Sequence, residues 1–298
     1  MKKFIFILAA SFSLLGSGVL AGKDCTNTST RATHLGPNNT AALDEDRVSP
    51  LDGYCYHTPQ TMEVKIYEFG LCTGAASPLS RSSNCSTLFS AADGKVVNLS
   101  VGSSLPLSDG ITLDEGTYTH GYLLVSNLFK IKSVIEFSTD RVDDTGGTGK
   151  FCYTNGDSVN DIPTPKSVIS CGVDASAAKV SSERSSVGYT TAGGDYTSKQ
   201  MGYGLVMGGE TILTDLYMTT ADGVEAENAG QEAAFFAIQT LVDEVIITPN
   251  TTELDIAFSI TDGVVLGFGI NFGSGIAGAQ TGPNDAMFEG LKFKITAK

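Results

Sequence analysis

The side chains able to do chemistry are few and unevenly spaced. Only three histidines occur, His34, His57 and His120, so a Ser-His-Asp relay would have to use one of them. No Gly-x-Ser-x-Gly elbow is present to expose a nucleophile. His120 shares a strand face with Tyr118 and Tyr122, the setting of a packed or rim histidine rather than a base. Ser176-Ala-Ala-Lys179 has the Ser-x-x-Lys wording of penicillin-recognising enzymes, but no later Lys-Thr-Gly accompanies it. Gly146-Gly-Thr-Gly-Lys150 lacks P-loop spacing, and Phe151 stands where the hydroxyl belongs, so it reads as a turn.

The carboxylates carry more. Asp140, Asp143 and Asp144 crowd one stretch, and Asp157, Asn160 and Asp161 crowd another. Clustered carboxylates raise one another's pKa unless a cation or water intervenes. Calcium takes roughly six to eight oxygen ligands in tolerant geometry, and it is the natural cation outside cells. Asp140, Asp143, Asp144, Asp157 and Asp161 are therefore candidate calcium ligands, although neither group has EF-hand spacing. Plain solvated acidic turns are the alternative. Tyr54, Tyr56, Tyr153, Tyr189, Tyr196 and Tyr203 lie in polar, glycine-rich stretches suited to glycan or protein contacts, but no tryptophan supplies the best stacking surface.

Charge narrows the partners. The chain carries 33 Asp+Glu against 19 Lys+Arg, a formal charge of -14. Without a basic cluster this excludes nucleic acid, whose phosphates need Lys and Arg, and disfavours an anionic membrane face. Candidate partners are other copies of the chain, surface proteins or glycans.

The elements that must position these groups begin after an export signal. Met1-Lys2-Lys3, an apolar core reaching Leu15 and Val19-Leu20-Ala21 predict a bacterial-type signal peptide over 1–21. Its apolar run is too short and too interrupted for a transmembrane anchor. All six cysteines follow it, which predicts disulfides in an oxidising compartment, extracellular, cell-surface or periplasmic. No two have the close spacing of a zinc site. Pairing of neighbours gives Cys25–Cys55, Cys72–Cys85 and Cys152–Cys171, each staple contributing about 3 kcal/mol by loop closure.

The predicted fold is all-β, a Greek-key-like β-sandwich, one large or two small, stapled by disulfides. Residues 22–60 read as a polar arm, 61–139 as a first sandwich half, 140–200 as a long Gly/Ser/Asp-rich insertion or linker, and 201–298 as a second half. Short strands are expected over 64–69, 96–101, 131–137, 211–219, 234–238 and 245–248. Leu113 to Leu124 has a Leu-x-x-Gly-x-Tyr corner, which resembles the approach to a strand in Greek-key sandwiches, where the tyrosine hydroxyl ties back to nearby backbone. Its Gly-Thr-Tyr-Thr wording resembles the corresponding strand of prealbumin-like and Cna-B-type surface domains over about ten residues.

Near the C-terminus, Leu254, Ile256, Phe258 and Ile260 alternate, as do Val264, Leu266, Phe268, Ile270 and Phe272. Parity favours a hairpin through 261–263 pairing Ile260 with Val264, so that both apolar rows share one buried face. Leu291 to Ile295 reads as a terminal strand with lysines outward, a guard against edge pairing. These features point to a non-enzymatic, secreted or cell-surface structural or adhesive protein, a filament or coat subunit. A calcium-assisted glycan- or ligand-binding module and a carboxylate-dependent hydrolase are the alternatives.

Overall fold

Met62, Val64 and Ile66 alternate with Glu63, Lys65 and Tyr67, and the chain there is a strand whose first set is buried. The same logic builds the rest. The computed structural model describes residues 53–100, 104–106, 114–143, 145–159, 168–185, 189–190, 194–207, 210–251, 253–260, 263–268, 285–288 and 292–298.

In chain order the strands are β1 (Gly53–His57), β2 (Thr61–Cys72), β3 (Cys85–Leu99), β4 (Ser104–Pro106), β5 (Gly116–Ser126), β6 (Leu128–Lys132) and β7 (Val134–Val142). Next come β8 (Thr148–Thr154), β9 (Ser158–Val159), β10 (Ile169–Gly172), β11 (Ser181–Arg184), β12 (Tyr189–Thr190), β13 (Tyr196–Thr197) and β14 (Lys199–Met207). The last are β15 (Glu210–Thr219), β16 (Ala234–Ile247), β17 (Leu254–Ser259), β18 (Val264–Phe268), β19 (Asp285–Phe288) and β20 (Lys292–Ala297). Among the described residues, one α-helical turn, α1 (Arg81–Asn84), and two 3-10 turns complete the set. The fold is all-β and disulfide-stapled.

The largest sheet runs β14-β15-β16-β5-β2-β6-β11-β9, with β3 on the other edge of β2. Strands β5 and β6 lie end to end along β2, interrupted only at Asn127. On their far side β16 borders β5, whereas β11 borders β6. The sheet therefore forks at Asn127. That residue is 1% exposed and fully used: its N–H donates to Ala233 O and its carbonyl accepts from Ser185 N. Its Nδ2 donates to Glu232 O, and its Oδ1 accepts from Arg184 Nη1.

A second sheet, β20-β17-β4, packs on the first. Phe258 and Phe293 meet the Phe69 ring edge-on at centroid distances of 6.4 and 5.3 Å. Each buried phenylalanine contributes about 2 to 3 kcal/mol. Close contact needs a gap in β5, and Gly121 supplies it: a Cβ there would stand 2.5 Å from the Phe293 ring. Gln239 Nε2 also donates to Phe293 O across the layers. The sheet β10-β8-β7 adds Ile135, Phe137, Cys152, Ile169 and Cys171 to the same core. A smaller cluster of Tyr122, Leu124, Tyr217, Phe236 and Ile238 occupies the opposite face of the main sheet, joined by Ala76 from the 73–84 loop.

Cys72 is bonded to Cys85 and Cys152 to Cys171, and each pair joins directly opposed residues of neighbouring strands. Cys55 lies in β1, but Cys25 and the Cys55 side chain are outside what is described, so the expected Cys25–Cys55 pair is too. The tyrosine corner forms: Tyr118 is buried and its hydroxyl donates to Asp114 O at 2.9 Å. Strand β20 is an edge strand with Phe293 and Ile295 buried and Lys294 exposed.

Three expectations need correction. The 254–260 and 264–272 rows do not form a hairpin: β17 pairs with β20 and β4, whereas β18 pairs with β1 and β19. The tight turn from Ile260 to Gly263 carries the chain between sheets instead. Alternation dictates which side faces the core, and Ile256, Phe258, Ile260 and Val264 all reach it, but alternation does not choose the neighbouring strand. The 140–200 stretch is not loop-rich throughout, because it contains β8 to β13 and sends β11 into the main sheet. Its strands are short and half-exposed, so they need little apolar content. The strand expected at 96–101 is the end of β3, whose Ser- and Ala-rich remainder is held by hydrogen bonds to β2.

Candidate functional site

Asp143 follows β7 and is 5% exposed, yet it accepts four hydrogen bonds. Oδ1 takes Thr145 N at 2.8 Å, Thr145 Oγ1 at 2.7 Å and Gly147 N at 2.9 Å. Oδ2 takes Cys171 N at 2.7 Å. The carboxylate thus fixes the β7–β8 turn and locks it to β10 beside the Cys152–Cys171 bridge. Short charge-assisted bonds of this kind are strong, and their donors fill the directions a cation would need. Asp140 and Asp157 are exposed, and Asp144 and Asp161 lie outside the described residues. Among the described residues no three His, Cys, Asp or Glu side chains are grouped as metal ligands.

The opposite face of the main sheet holds a different arrangement. The loop 73–84, closed by Cys72–Cys85, folds over Tyr122 and Phe236, and α1 places Arg81 there. Arg81 donates through Nη1 to Gly223 O at 3.0 Å and through Nη2 to Asp222 O at 3.3 Å. Its Nε lies 3.6 Å from Glu68 Oε2, and its guanidinium is 6.0 Å from the centre of the Phe236 ring. Gly223 has φ +76, and a Cβ there would sit 2.2 Å from Arg81 Nη1, so only glycine fits the turn. Two loops far apart in sequence are thereby fastened into one platform. Leu79, 78% exposed, and Val224, 58% exposed, stand on these two loops.

Beneath the platform Tyr122 hydrogen-bonds to Thr87 at 2.6 Å, and burial raises its phenol pKa. His120, further along β5, hydrogen-bonds through Nδ1 with Thr119 Oγ1. Burial lowers its pKa and the Asp215 charge partly opposes this.

A third node sits at the fork. Tyr196 donates a short hydrogen bond to Glu232 Oε1, and Arg184 Nη1 donates to Glu232 O. Burial, reinforced by the Glu232 contact, pushes the Tyr196 phenol above its ordinary range. Ser198 donates to Glu225 Oε1 at 2.5 Å. Arg81, Asn127, Arg184 and Glu232 are absent from the sequence reading because their partners are remote. Arg81 and Gly223 are 142 residues apart, and no local pattern announces such a contact.

The remaining motif residues have structural partners. Ser176 lies inside a 3-10 turn and donates to both oxygens of Asp174, the residue that caps it. Gly146 has φ +88 in the turn after Asp143. His57 is buried, and Tyr153 is half-buried. His34 and the side chains of Tyr54, Tyr56, Tyr189 and Tyr203 lie outside what is described. No protein-family profile matches the chain, and no curated protein or solved structure shows significant similarity to it.

Proposed function

We propose that this chain is an exported, non-enzymatic β-protein that acts by surface contact, as a structural or adhesive subunit of an extracellular assembly. The observation that carries the reading is the locked platform. A disulfide loop and the 220–224 turn are fastened by Arg81 and hold Leu79 and Val224 in the open. Fixing loops before association reduces the ordering cost of a contact, and exposed apolar side chains on fixed loops supply its favourable part. The tied carboxylates support the same reading, since Asp143, Glu225 and Glu232 each accept hydrogen bonds from neighbouring protein groups. No helix among the described residues is long and apolar enough to cross a membrane.

The test is self-association of the chain starting at Gly22. Light scattering after size exclusion and negative-stain microscopy should show oligomers or filaments that grow with concentration. Leu79→Asp with Val224→Asp should weaken association at least tenfold. A monomer at every concentration would refute the assembly reading.

A further inference from the structure

The two described disulfides differ in their access to solvent. Cys152 and Cys171 are 1% and 4% exposed, and Asp143 Oδ2 holds the Cys171 amide. Cys72 is equally sealed, at 0%, but its partner Cys85 begins β3 and is only half-buried, at the rim of the smaller apolar cluster. An outside thiolate therefore meets the Cys72–Cys85 bridge from the Cys85 side, and access of this kind governs exchange rates.

On its other side Cys72 directly opposes His120 of β5. Directly opposed residues share a face, with Cβ atoms about 4.5–5.5 Å apart. Cys85, Cys72 and His120 thus form one row across β3, β2 and β5. Thr119 orients the imidazole: its Oγ1 donates to Thr73 O at 3.2 Å and meets His120 Nδ1 at 2.8 Å. A hydroxyl has a single hydrogen. With that hydrogen on Thr73 O, Nδ1–H is the donor to Oγ1, and Nε2 carries the lone pair. Burial lowers the His120 pKa against the opposing Asp215 charge, so the ring is neutral at pH 7 and can take up a proton.

We propose that Cys72–Cys85 is a site of exchange with external thiols, in which Cys85 is the sulfur attacked and Cys72, served by His120, resolves the adduct. An incoming thiolate bonds to Cys85 Sγ, the Cys72–Cys85 bond breaks, and Cys72 leaves as a thiolate that takes a proton from water. In the return step His120 Nε2 takes the proton of the Cys72 thiol, and the thiolate attacks Cys85 Sγ. The external thiolate then departs and receives that proton. One disulfide is exchanged for another each time, so no further oxidant is consumed. A dithiol carries the opening to completion, because its second sulfur displaces Cys85 and closes a disulfide of its own.

The test uses the folded chain starting at Gly22, with acid quenching, alkylation and peptide mass mapping. In dithiothreitol without denaturant, Cys72–Cys85 should open at least tenfold faster than Cys152–Cys171, a comparison that needs no variant. With oxidised glutathione as the probe, Cys72→Ser should keep glutathione on Cys85. Cys85→Ser, whose remaining thiol is sealed, should acquire it at least tenfold more slowly. When reduced wild type is given oxidised glutathione, the adduct on Cys85 should give way to the Cys72–Cys85 bridge, and His120→Gln should slow that closing step at least tenfold. Equal opening of the two bridges, opening only in denaturant, or glutathione entering at Cys72 as fast as at Cys85 would overturn the site. An unchanged closing rate in His120→Gln would overturn the role of the base.

Discussion

Substituting Asp143 by asparagine separates a structural latch from a cation site. Asparagine keeps one oxygen for Thr145 and Gly147 but places an NH2 group against Cys171 N, donor facing donor. One buried N–H loses the Asp143 Oδ2 acceptor, at a cost of about 1 to 3 kcal/mol. The three bonds to Oδ1 lose their charge assistance, worth up to about 1 kcal/mol each. Allowing for relaxation, the loss is about 3 to 5 kcal/mol, or roughly 10 °C in Tm for a chain of this size. Urea unfolding of wild type and Asp143→Asn, in chelator and in millimolar calcium, is the assay. The expected result is a lower midpoint with unchanged slope, and the same deficit in both buffers. A loss under about 1 kcal/mol would refute the latch. A deficit that vanishes in chelator would return Asp143 to the calcium ligands.

Three further outcomes are expected. Tyr118→Phe removes the hydroxyl bond to Asp114 O and should cost about 1 kcal/mol by urea unfolding, with the fold unchanged by circular dichroism. Gly149→Ala puts a Cβ 2.0 Å from Gly172 O, a backbone clash worth about 3 kcal/mol or more, whereas Gly74→Ala meets nothing within 4 Å and should stay within about 0.5 kcal/mol of wild type in the same assay. His120 has a folded pKa below 6.5, so the unfolded chain binds more protons there and stability falls as pH drops through 6.5 toward the folded value. His120→Gln should flatten that part of a Tm-against-pH curve, and an unchanged slope would exclude His120 as its source.

What the sequence made legible was local. The residue pattern marked Val64 to Phe69, Leu254 to Ile260 and Phe293 to Ile295, because a half-buried strand imposes period two on its residues. Tyr118 was readable because its corner spans five positions. The cysteines Cys72 with Cys85, and Cys152 with Cys171, are neighbours both in the chain and across strands. The hairpin expected at 261–263 failed for the converse reason: β17 and β18 carry equally apolar inner faces and contribute to one core from separate sheets. Strand pairing depends on distant partners, and so do Arg81 with Gly223 and Asn127 with Glu232. The latch at Asp143 was not legible in the acidic run at 140–144, since its donors include a backbone N–H from 28 residues away.

The fork at Asn127 also sets a timetable for synthesis. β2, β3, β5 and β6 can pair early, but the far side of β5 takes β16, about a hundred residues further along the chain. Until those residues emerge, Tyr122, Leu124 and the open row of β5 amides have no cover. A nascent chain paused there presents a sticky half-sheet, so holding factors should engage it before the last third arrives and let go once Ala234 to Thr240 docks.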